Sequence, residues 1–360
     1  MSKPRVIAFY LPQFYPTPEN DEWWGKGFTE WTNVGRAKPL FKDHYQPKVP
    51  ADLGYYDLRL PIVREQQAQL AREAGVEGFC YWHYWTNGKR MLSDVFKEVL
   101  RDKKPDFPFC LCWANHSWYK KGWSTIKKDE LLVEQVYPGE DDYKAHFYAM
   151  LEAFKDPRYM KINGKLIFGI FRPYEIPNTR EFFSLWNRLA QENGLKGFHF
   201  FGYSHQGSRN KEYLDLGFDS LAFNPDFEAV FKKGLIARAL HKIKREYLKI
   251  PQLILYKDYV EECKKCFTAD LKICPCIEPN FDHSPRSGTH GLILHDSTPA
   301  LWEKLCHNTF KCRENIPHEE NIVFIKAWNE WGEGNYLEPD LRFGKQYLNG
   351  LKKEIEACPE

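Results

Sequence analysis

The first apolar run of the chain, Val6–Tyr10 (VIAFY), is followed directly by residues 11–16, which read LPQFYP. A short, continuously apolar run is typical of a strand that is buried on both faces of a sheet. In a doubly wound open sheet, the first strand usually leads into a glycine-rich phosphate loop. Residues 11–16 contain no glycine, and the sequence therefore favours a closed barrel over the open sheet, which is the rival fold.

Seven further apolar runs follow along the chain, with helical patterns between most of them. Leu60–Ala74, for example, has helical apolar spacing and ends before Gly75, as a helix stop requires. Eight such βα units predict an α/β fold, the (β/α)8 TIM barrel. The predicted strands are Val6–Tyr10, Gly78–Trp82, Phe109–Trp113, Leu166–Phe171, Gly197–Tyr203, Phe218–Phe223, Ile273–Ile277 and Ile322–Ala327. The other predicted helices are Asp141–Phe154, Thr179–Asn193, Pro299–Cys312 and Phe343–Ala357.

Two connections between the predicted strands are unusually long. They are residues 11–57, after the first strand, and residues 224–271, after the sixth. Long ordered connections in a compact domain tend to be functional. No internal repeat and no low-complexity linker interrupts the βα rhythm. We therefore predict that residues 1–360 form a single catalytic domain with these two insertions.

Composition argues against several classes of protein. With 16% aromatic and 43% hydrophobic residues, the chain is too apolar for a disordered protein. Its net charge of +2 gives no drive toward nucleic acid, and no apolar run reaches the roughly 20 residues of a membrane span. The opening residues lack a secretory cleavage site and the ten cysteines suit a reducing compartment, so we expect a cytoplasmic protein. Cysteine and histidine spacings match no metal site, and we expect neither a metal nor a cofactor.

One segment of the second insertion, residues 232–249, concentrates positive charge. It reads KKGLIARALHKIKREYLK, with seven Lys or Arg residues against one acid and apolar residues along one helical face. We favour a solvated helix docked on the barrel. The alternative is peripheral contact with the anionic inner face of the membrane or with an acidic glycan.

The residues that end the predicted strands are rich in aromatic and hydrogen-bonding side chains. In a barrel of this class, the active site lies at the carboxyl ends of the strands. Aromatic faces stack on the C–H faces of sugar rings, and a few polar groups fix the orientation of a ligand. Each aromatic residue alone also suits a core position, so only the clustering indicates a carbohydrate site. The candidate sugar-binding residues are Tyr10, Gln13, Tyr81, His83, Trp85, Trp113, Asn115, His116, Tyr203, Asp282, Arg286, Trp328, Asn329 and Trp331.

The strongest single motif, WNEWGEG at residues 328–334, places two glutamates three positions apart where the last strand must turn. On a continuing strand, Glu330 and Glu333 would point to opposite faces. Gly332 and Gly334 allow a turn that brings both carboxylates into one cleft. Glycosidic cleavage commonly needs such a pair, and burial among tryptophans would raise the pKa of one member. The alternative is a salt bridge or a helix cap at one glutamate.

Several segments together resemble the WbsX-like proteins. They are RVIAFYLPQFYPTPENDEWWGKGFTEWTNV at residues 5–34, then GFCYWHYW, LCWANHSW, PNFDHSPRSG and AWNEWGEG. WbsX-like proteins occur in bacterial surface-polysaccharide gene clusters and are often labelled glycosyltransferases. They are distantly similar to glycoside hydrolase family 99, the endo-α-mannosidases, which are (β/α)8 barrels. The opening segment of the resemblance adds Glu30 and Trp31 to the expected substrate-binding residues.

Family 99 carries an N-E-W-x-E-G motif that matches Asn329–Gly334 here. The resemblance implies that Glu330 deprotonates the sugar 2-hydroxyl, whose oxygen attacks the anomeric carbon and gives a 1,2-anhydro sugar. It implies that Glu333 is the general acid for the leaving group and then the general base. A D-T-x-x-R-like segment matches Asp282–Arg286, where His283 replaces the usual small or polar residue. The mannose-specific loops of family 99 have no recognisable counterpart, so the sugar identity does not carry over.

Three functions stay open at this point, each with an oligo- or polysaccharide ligand. The first is a retaining glycoside hydrolase or transglycosylase that acts on a bacterial glycan, which the glutamate pair favours. The second is a glycosyltransferase of O-antigen or other surface-polysaccharide biosynthesis, which the family label suggests. The nearest acidic cluster for a nucleotide-sugar metal, Glu140–Asp142, is better explained as the first turn of a helix. The third is a barrel that binds glycans without cleaving them.

Overall fold

A closed barrel of eight parallel strands forms the centre of the fold, as the sequence predicts. The computed structural model describes residues 2–120, 129–225, 247 and 251–359. Each of the eight apolar runs is a strand, and every strand pairs with two neighbours. The barrel strands are β1 (Arg5–Tyr10), β2 (Gly78–Thr86), β3 (Phe109–Trp113), β4 (Lys165–Ile170), β5 (Phe198–Ser204), β6 (Ser220–Phe223), β7 (Ile273–Ile277) and β8 (Ile322–Ile325).

The first strand closes the barrel, because β1 pairs in parallel with β8 on one side and with β2 on the other. Arg5 lies opposite Ile322, and Ile7 lies opposite Gly78. The remaining neighbours follow the order of the chain from β2 to β8. All carboxyl ends therefore meet at one rim, where the loops after the strands can build a common site.

Helices surround the barrel and also occupy the first long connection. The five helices expected from the sequence are α3, α5, α6, α10 and α11 of the structure, with ends that differ by a few residues. Helix bounds are α1 (Pro18–Trp24), α2 (Glu30–Arg36), α3 (Pro61–Glu73), α4 (Asp94–Asp102), α5 (Glu140–Phe154), α6 (Thr179–Glu192), α7 (Asn210–Asp215), α8 (Tyr256–Cys266), α9 (Ser284–Ser287), α10 (Pro299–Cys312) and α11 (Gln346–Glu356).

Short strands and 3₁₀ turns lie in the connections. Three of the strands form a small sheet beside the barrel, in the order Gln252–Leu255, Leu292–His295, Phe281–Asp282. The other short strands are Lys89–Met91, Trp118–Lys120, Glu130–Val133, Lys161–Ile162, Asn329–Glu330 and Asn335–Tyr336. The 3₁₀ turns are Pro173–Glu175, Gly207–Arg209, Gly288–His290, His318–Glu320 and Trp331–Glu333.

The first long connection is ordered and carries two capped helices to the rim of the barrel. The Thr17 hydroxyl accepts the backbone N–H of Asn20 at 3.1 Å, which caps α1. Thr29 and Thr32 form a capping box at the start of α2. These caps satisfy backbone donors that a helix start leaves open, so two helices of only seven residues have defined ends.

Two predictions stand outside what the fold can decide. The basic segment 232–249 lies outside the described residues, apart from Tyr247. That residues 1–360 form one domain stays a prediction. Among the helices that the structure describes, none combines the length and the apolar character that crossing a bilayer would require.

Candidate active site

The segment after β8 turns sharply and brings Glu330 and Glu333 to the rim of the barrel. Asn329–Glu330 pairs in antiparallel fashion with Asn335–Tyr336, and the 3₁₀ turn Trp331–Glu333 lies between them. Gly334 ends this turn at φ 53°, in the left-handed region that favours glycine. Both carboxylates line the same cleft, because the turn replaces the alternation of a continuing strand.

One guanidinium, that of Arg286 on α9, contacts both glutamates. Its Nη1 lies 2.5 Å from Glu333 Oε1, and its Nη2 lies 3.5 Å from Glu330 Oε2. Glu30 of α2 makes a third contact, with Oε2 at 3.0 Å from Nη2 and 3.1 Å from Nε. Arg286, from the connection after β7, is thus the common partner of three carboxylates, one from the connection after β1 and two from the segment after β8.

The two glutamates have opposite pKa shifts. Burial and then the negative charge of Glu333 raise the pKa of Glu330 to about 7. Burial alone would raise the pKa of Glu333 too, but the charge of Arg286, followed by Lys326 and His283, lowers it to about 2. Between about pH 2 and about pH 7 the pair therefore holds one proton, and in the ligand-free site that proton lies on Glu330.

Further polar groups surround the pair. Trp82 Nε1 donates a hydrogen bond of 2.9 Å to Glu330 Oε1, and Lys326 Nζ lies 4.0 Å from Glu333 Oε2. Burial, then the charge of Arg172, lowers the pKa of His116 to about 4. Neutral imidazoles at the cleft can donate to, or accept from, sugar hydroxyls without adding charge.

The cleft has a volume of about 540 Å³, which is in the range of ligand pockets. A row of rings leads outward from the glutamates, because Tyr84 packs edge-on against Trp118 at 5.1 Å and Trp118 against Trp23 at 5.7 Å. Trp24 also lines the cleft and is 44% exposed, with Phe28 5.7 Å away. Rings that range from the buried Tyr84 to the exposed Trp24, beside buried polar groups, form a surface that suits the binding of a sugar chain.

The structure divides the candidate residues into two groups. Those that line the cleft are Gln13, Glu30, His116, Arg286, Glu330 and Glu333. Those whose side chains are placed elsewhere are Tyr10, Trp31, Tyr81, His83, Trp85, Trp113, Asn115, Tyr203, Asp282, Trp328, Asn329 and Trp331.

On β2, the difference is a matter of strand alternation. Trp82 and Tyr84 face the interior and the cleft, where Trp82 stacks on Phe9 at 4.7 Å. Tyr81, His83 and Trp85 face the helices instead, since neighbouring residues on a strand point to opposite faces. His83 Nε2 lies 2.7 Å from His146 Nε2 of α5, and Trp85 stacks on the same ring. The structure thus places these three side chains in the packing between the strand and the helices, away from the cleft.

Candidates on or next to the outward faces of β1 and β3 also make contacts within the scaffold and lie away from the cleft. The Tyr10 hydroxyl donates to Gln67 of α3 at 2.7 Å. Trp113 is fully buried, and its Nε1 donates to the carbonyl of Trp85 at 3.0 Å. Asn115 holds two connections together, since its Nδ2 donates to the carbonyl of Arg172 at 2.9 Å. These side chains are used by the scaffold and are not free for a ligand.

Asn329 and Asp282 are fully engaged in holding loops in place. Asn329 Oδ1 accepts the N–H of Leu11 at 2.7 Å, and its Nδ2 donates to the carbonyl of the same residue at 3.0 Å. Asp282 Oδ2 accepts from Gln46 at 2.6 Å and lies 2.8 Å from His44 Nε2. Both residues thus attach the first connection to the loops after β7 and β8, behind the cleft.

The remaining tryptophans pack beneath the glutamate turn. Trp331 stacks on Tyr336 at 3.7 Å and donates from Nε1 to the buried Glu338 at 2.6 Å. Burial raises the pKa of Glu338 to about 7 despite this donor. Trp31 packs against Trp331 at 5.7 Å, Trp328 is fully buried, and Tyr203 lies against Phe9 and Phe171 inside the barrel.

Several cleft residues were not among the candidates. Two of them, Trp82 and Tyr84, could have been found from the sequence, because they alternate on β2 with the candidates Tyr81, His83 and Trp85. Trp118 follows the third barrel strand closely, whereas Trp23, Trp24 and Phe28 lie far from any strand end, in the first long connection. The further cleft residues include Lys326, His283 and Phe171. Across residues 2–120, 129–225 and 251–359, no group of three or more His, Cys, Asp or Glu side chains is placed to hold a metal ion.

Comparison with solved structures supports the barrel. A structure described as a glycoside hydrolase-like protein has a TM-score of 0.60 at 13% identity, covering 99% of this chain and 94% of its own. The GH99 endo-α-mannosidase from Bacteroides thetaiotaomicron, in complex with bis-tris propane, has a TM-score of 0.58 at 13% identity, covering 99% and 98%. At these identities, the likeness establishes the shared fold.

Comparison of sequences identifies the family. Protein WxcX of Xanthomonas campestris pv. campestris, strain ATCC 33913, is 34% identical over 357 residues, and so is the protein of the same name in strain B100. These alignments cover 99% of this chain and 50% of the relatives, so the chain spans about half the length of the curated relatives it matches. The family model described as Glycosyltransferase WbsX matches residues 6–351. The chain therefore belongs to the WbsX glycosyltransferase family.

Proposed function

We propose that this protein acts on the glycosidic bonds of a bacterial glycan, as a retaining glycoside hydrolase or transglycosylase. The observation that carries the proposal is that Glu330 and Glu333 line one cleft and share the guanidinium of Arg286. Glycosidic cleavage commonly requires one carboxyl group that donates a proton and one that accepts a proton. Between about pH 2 and about pH 7, the opposite pKa shifts leave the pair with the single proton that this chemistry needs.

The roles of the two glutamates follow the resemblance to family 99. Glu330 accepts the proton of the sugar 2-hydroxyl, and the 2-oxygen attacks the anomeric carbon. The glycosidic bond breaks, its oxygen leaves with the proton of Glu333, and a 1,2-anhydro sugar forms. Glu333 then takes a proton from water, or from a hydroxyl of another sugar, whose oxygen opens the epoxide. The 2-oxygen regains its proton from Glu330, and two inversions retain the configuration.

These roles require the proton on Glu333, whereas the ligand-free site holds it on Glu330. Arg286 accounts for the difference, since its contact with Glu333 is about 1 Å shorter than its contact with Glu330. We propose that the glycan draws the guanidinium toward Glu330 as it binds. That movement would raise the pKa of Glu333 and lower the pKa of Glu330, which sets up the acid and the base.

The substrate that fits this cleft is an oligosaccharide or a longer glycan. The reacting sugar occupies the polar end, beside Arg286 and His116, and further sugars extend along Tyr84, Trp118 and Trp23. Rings that present a face or an edge to the cleft offer apolar contact to successive sugars without fixing their identity.

Glycosyl transfer is the second candidate, because the family model that matches the chain is described as a glycosyltransferase. The same pair would serve a transglycosylase, in which a sugar hydroxyl opens the epoxide in place of water. A transferase of the usual kind would instead depend on a nucleotide-sugar donor.

The test uses the protein and its Glu330→Gln and Glu333→Gln variants with a panel of bacterial oligosaccharides, in plain buffer and with nucleotide sugars. We expect new reducing ends or transfer products without any nucleotide, with both glutamates required and the anomeric configuration retained by NMR. On a glycosyl fluoride, whose leaving group needs no proton, Glu333→Gln should recover activity and Glu330→Gln should not. Turnover only with a nucleotide donor would establish the usual transferase. Glycan binding without turnover, unchanged by either substitution, would establish a glycan-binding barrel.

The setting of the reaction is part of the proposal. We place it in the cytoplasm, on surface-polysaccharide intermediates such as those of O-antigen and lipopolysaccharide; contact of residues 232–249 with the inner face of the membrane is the alternative to a helix docked on the barrel. The support for this contact is the charge of that segment, with seven basic residues against one acid. Sedimentation with phosphatidylglycerol vesicles tests it, and the contact predicts binding that is lost when the basic residues are replaced by glutamine. Equal sedimentation of both proteins would contradict it.

A further inference from the structure

Arg286 has an anchor outside the glutamate pair, which is Glu30 at the first position of α2. The carboxylate of Glu30 reaches Arg286 through two nitrogens, with Oε2 at 3.1 Å from Nε and 3.0 Å from Nη2. Thr29 caps the helix, and the helix dipole favours an acid in the first turn. Glu30 is therefore placed by a helix of the first connection, which is separate in the sequence from the turn that carries Glu330 and Glu333.

The residue between the two glutamates, Gly332, lies directly against this anchor. A Cβ at Gly332 would lie 2.1 Å from Glu30 Oε2 and 3.0 Å from Arg286 Nε. The backbone of Gly332 is outside the left-handed region, so its conformation does not call for glycine. The constraint at position 332 is space, because a methyl group there fits only if the Glu30 carboxylate, at the end of a flexible side chain, moves from its present position.

We propose that Glu30 is a positioning residue, which fixes Arg286 between Glu330 and Glu333, and that Gly332 is glycine because it admits the Glu30 carboxylate. The catalytic meaning of this inference rests on the proposed function. Its test does not, because the arrangement is present without a substrate. A glutamate that only contacted the sugar, or only stabilised the start of α2, would have no reason to exclude a methyl group at position 332.

The charge of Glu30 also acts on the pair. It contributes to the raised pKa of Glu330, while Arg286 and Lys326 oppose that rise. Removal of the Glu30 charge, or its displacement from Arg286, should therefore lower the pKa of Glu330. The titratable and hydrogen-bonding groups that face the pair from the surrounding elements are Glu30, Trp82, Tyr84, His116, His283, Arg286 and Lys326.

The experiment is a double-mutant cycle on the ligand-free protein, with Glu30→Ala, Gly332→Ala and the double variant. The readout is the pKa of Glu330 from NMR titration of ¹³C-labelled glutamate carboxyls, assigned by its loss in Glu330→Gln. All variants carry Glu338→Gln, because Glu338 also titrates at about 7. Glu30→Gln, which keeps the shape and removes the charge, is the conservative companion.

Three results are expected. Glu30→Gln lowers the pKa of Glu330 by up to about one unit. Gly332→Ala lowers it in the presence of Glu30, and Gly332→Ala changes nothing further once residue 30 is alanine. An equal effect of Gly332→Ala in both backgrounds, or an unchanged pKa in Glu30→Gln, would overturn the inference. Coupling between positions 30 and 332 in a protein that turns over no glycan would leave this inference standing and remove the proposed function.

Discussion

In the ligand-free protein, we predict that Glu330 carries the single proton of the glutamate pair at mildly acidic pH, below its pKa of about 7. The two pKa values, about 7 for Glu330 and about 2 for Glu333, differ by about five units. At 1.36 kcal/mol per unit, moving the proton from Glu330 to Glu333 costs at most about 7 kcal/mol, because the pKa of Glu330 already contains the repulsion between the two carboxylates. The alternative microstate is therefore almost unpopulated until something changes the position of Arg286.

Infrared titration of the ligand-free protein measures this directly, because a protonated carboxyl has its own C=O stretching band. In the Glu338→Gln background, the protein should lose one buried protonated carboxyl between about pH 6 and pH 8, around the pKa of Glu330. Glu330→Gln should abolish that titration. Glu333→Gln should keep it and move it to lower pH, because the like charge that raises the pKa of Glu330 is gone.

The reasoning is refuted if Glu333→Gln abolishes the near-neutral titration and Glu330→Gln leaves it in place. Gln substitution keeps the size of the side chain, so circular dichroism and thermal unfolding of each variant serve as controls for folding. Replacement of Arg286 by Met gives the opposite perturbation. Without the guanidinium, the pKa of Glu333 should rise from about 2 to at least its ordinary value, and a second carboxyl should then titrate in the accessible range.

Three further predictions concern the cleft and its supports. Trp24→Ala should raise KM for long oligosaccharides several-fold more than for short ones. Tyr174→Ala, which removes a similarly exposed ring (41% against 44%) away from the cleft, should change neither value. Asn329→Leu, which breaks the two hydrogen bonds to Leu11, should lower the free energy of unfolding in urea by about 2–4 kcal/mol; a loss below about 0.5 kcal/mol would contradict a supporting role. Glu338 has a pKa raised from 4.5 to about 7, so the folded state binds its proton more tightly and stability falls as pH rises from about 4.5 to 7. Glu338→Gln should make that fall smaller, and an unchanged slope in urea unfolding at several pH values would contradict the assignment.

The fold was predictable because its strands are buried on both faces. A continuously apolar run such as Ile322–Ile325 predicts a buried strand without any alternation of polar and apolar residues. Eight such strands with helices between them are compatible with few α/β folds. The breaks between runs were equally informative, since residues 11–16 excluded the phosphate loop of the rival sheet. What the sequence could not supply was the shape of the long connections, whose helices are short and whose placement depends on tertiary contacts.

The sequence indicates where the candidate site lies, at the turn after the last strand, but it does not reveal all of the residues that line the cleft. The motif at residues 328–334 located the glutamate pair, because glycine at a strand end marks a turn. On β2, however, the candidates Tyr81, His83 and Trp85 lie on the face opposite to Trp82 and Tyr84, which line the cleft. Both faces of a barrel strand are apolar, so composition does not reveal which face is interior. The tertiary contacts of each residue show which face it occupies. His83, for example, contacts His146 of α5 and therefore lies on the helix-facing side.

The protonation of the pair depends on residues that are far apart in the sequence. Arg286 comes from the connection after β7 and Glu30 from the connection after β1, and both meet the glutamates that follow β8. A motif of seven residues can specify two carboxylates, but it cannot specify which of them keeps a proton, because that depends on a guanidinium from elsewhere in the chain. Within the motif, Gly332 is the residue that reflects the contact between Glu30 and Arg286. Its missing side chain leaves the space that Glu30 fills, so the long first connection acts on the chemistry through the placement of a single charge.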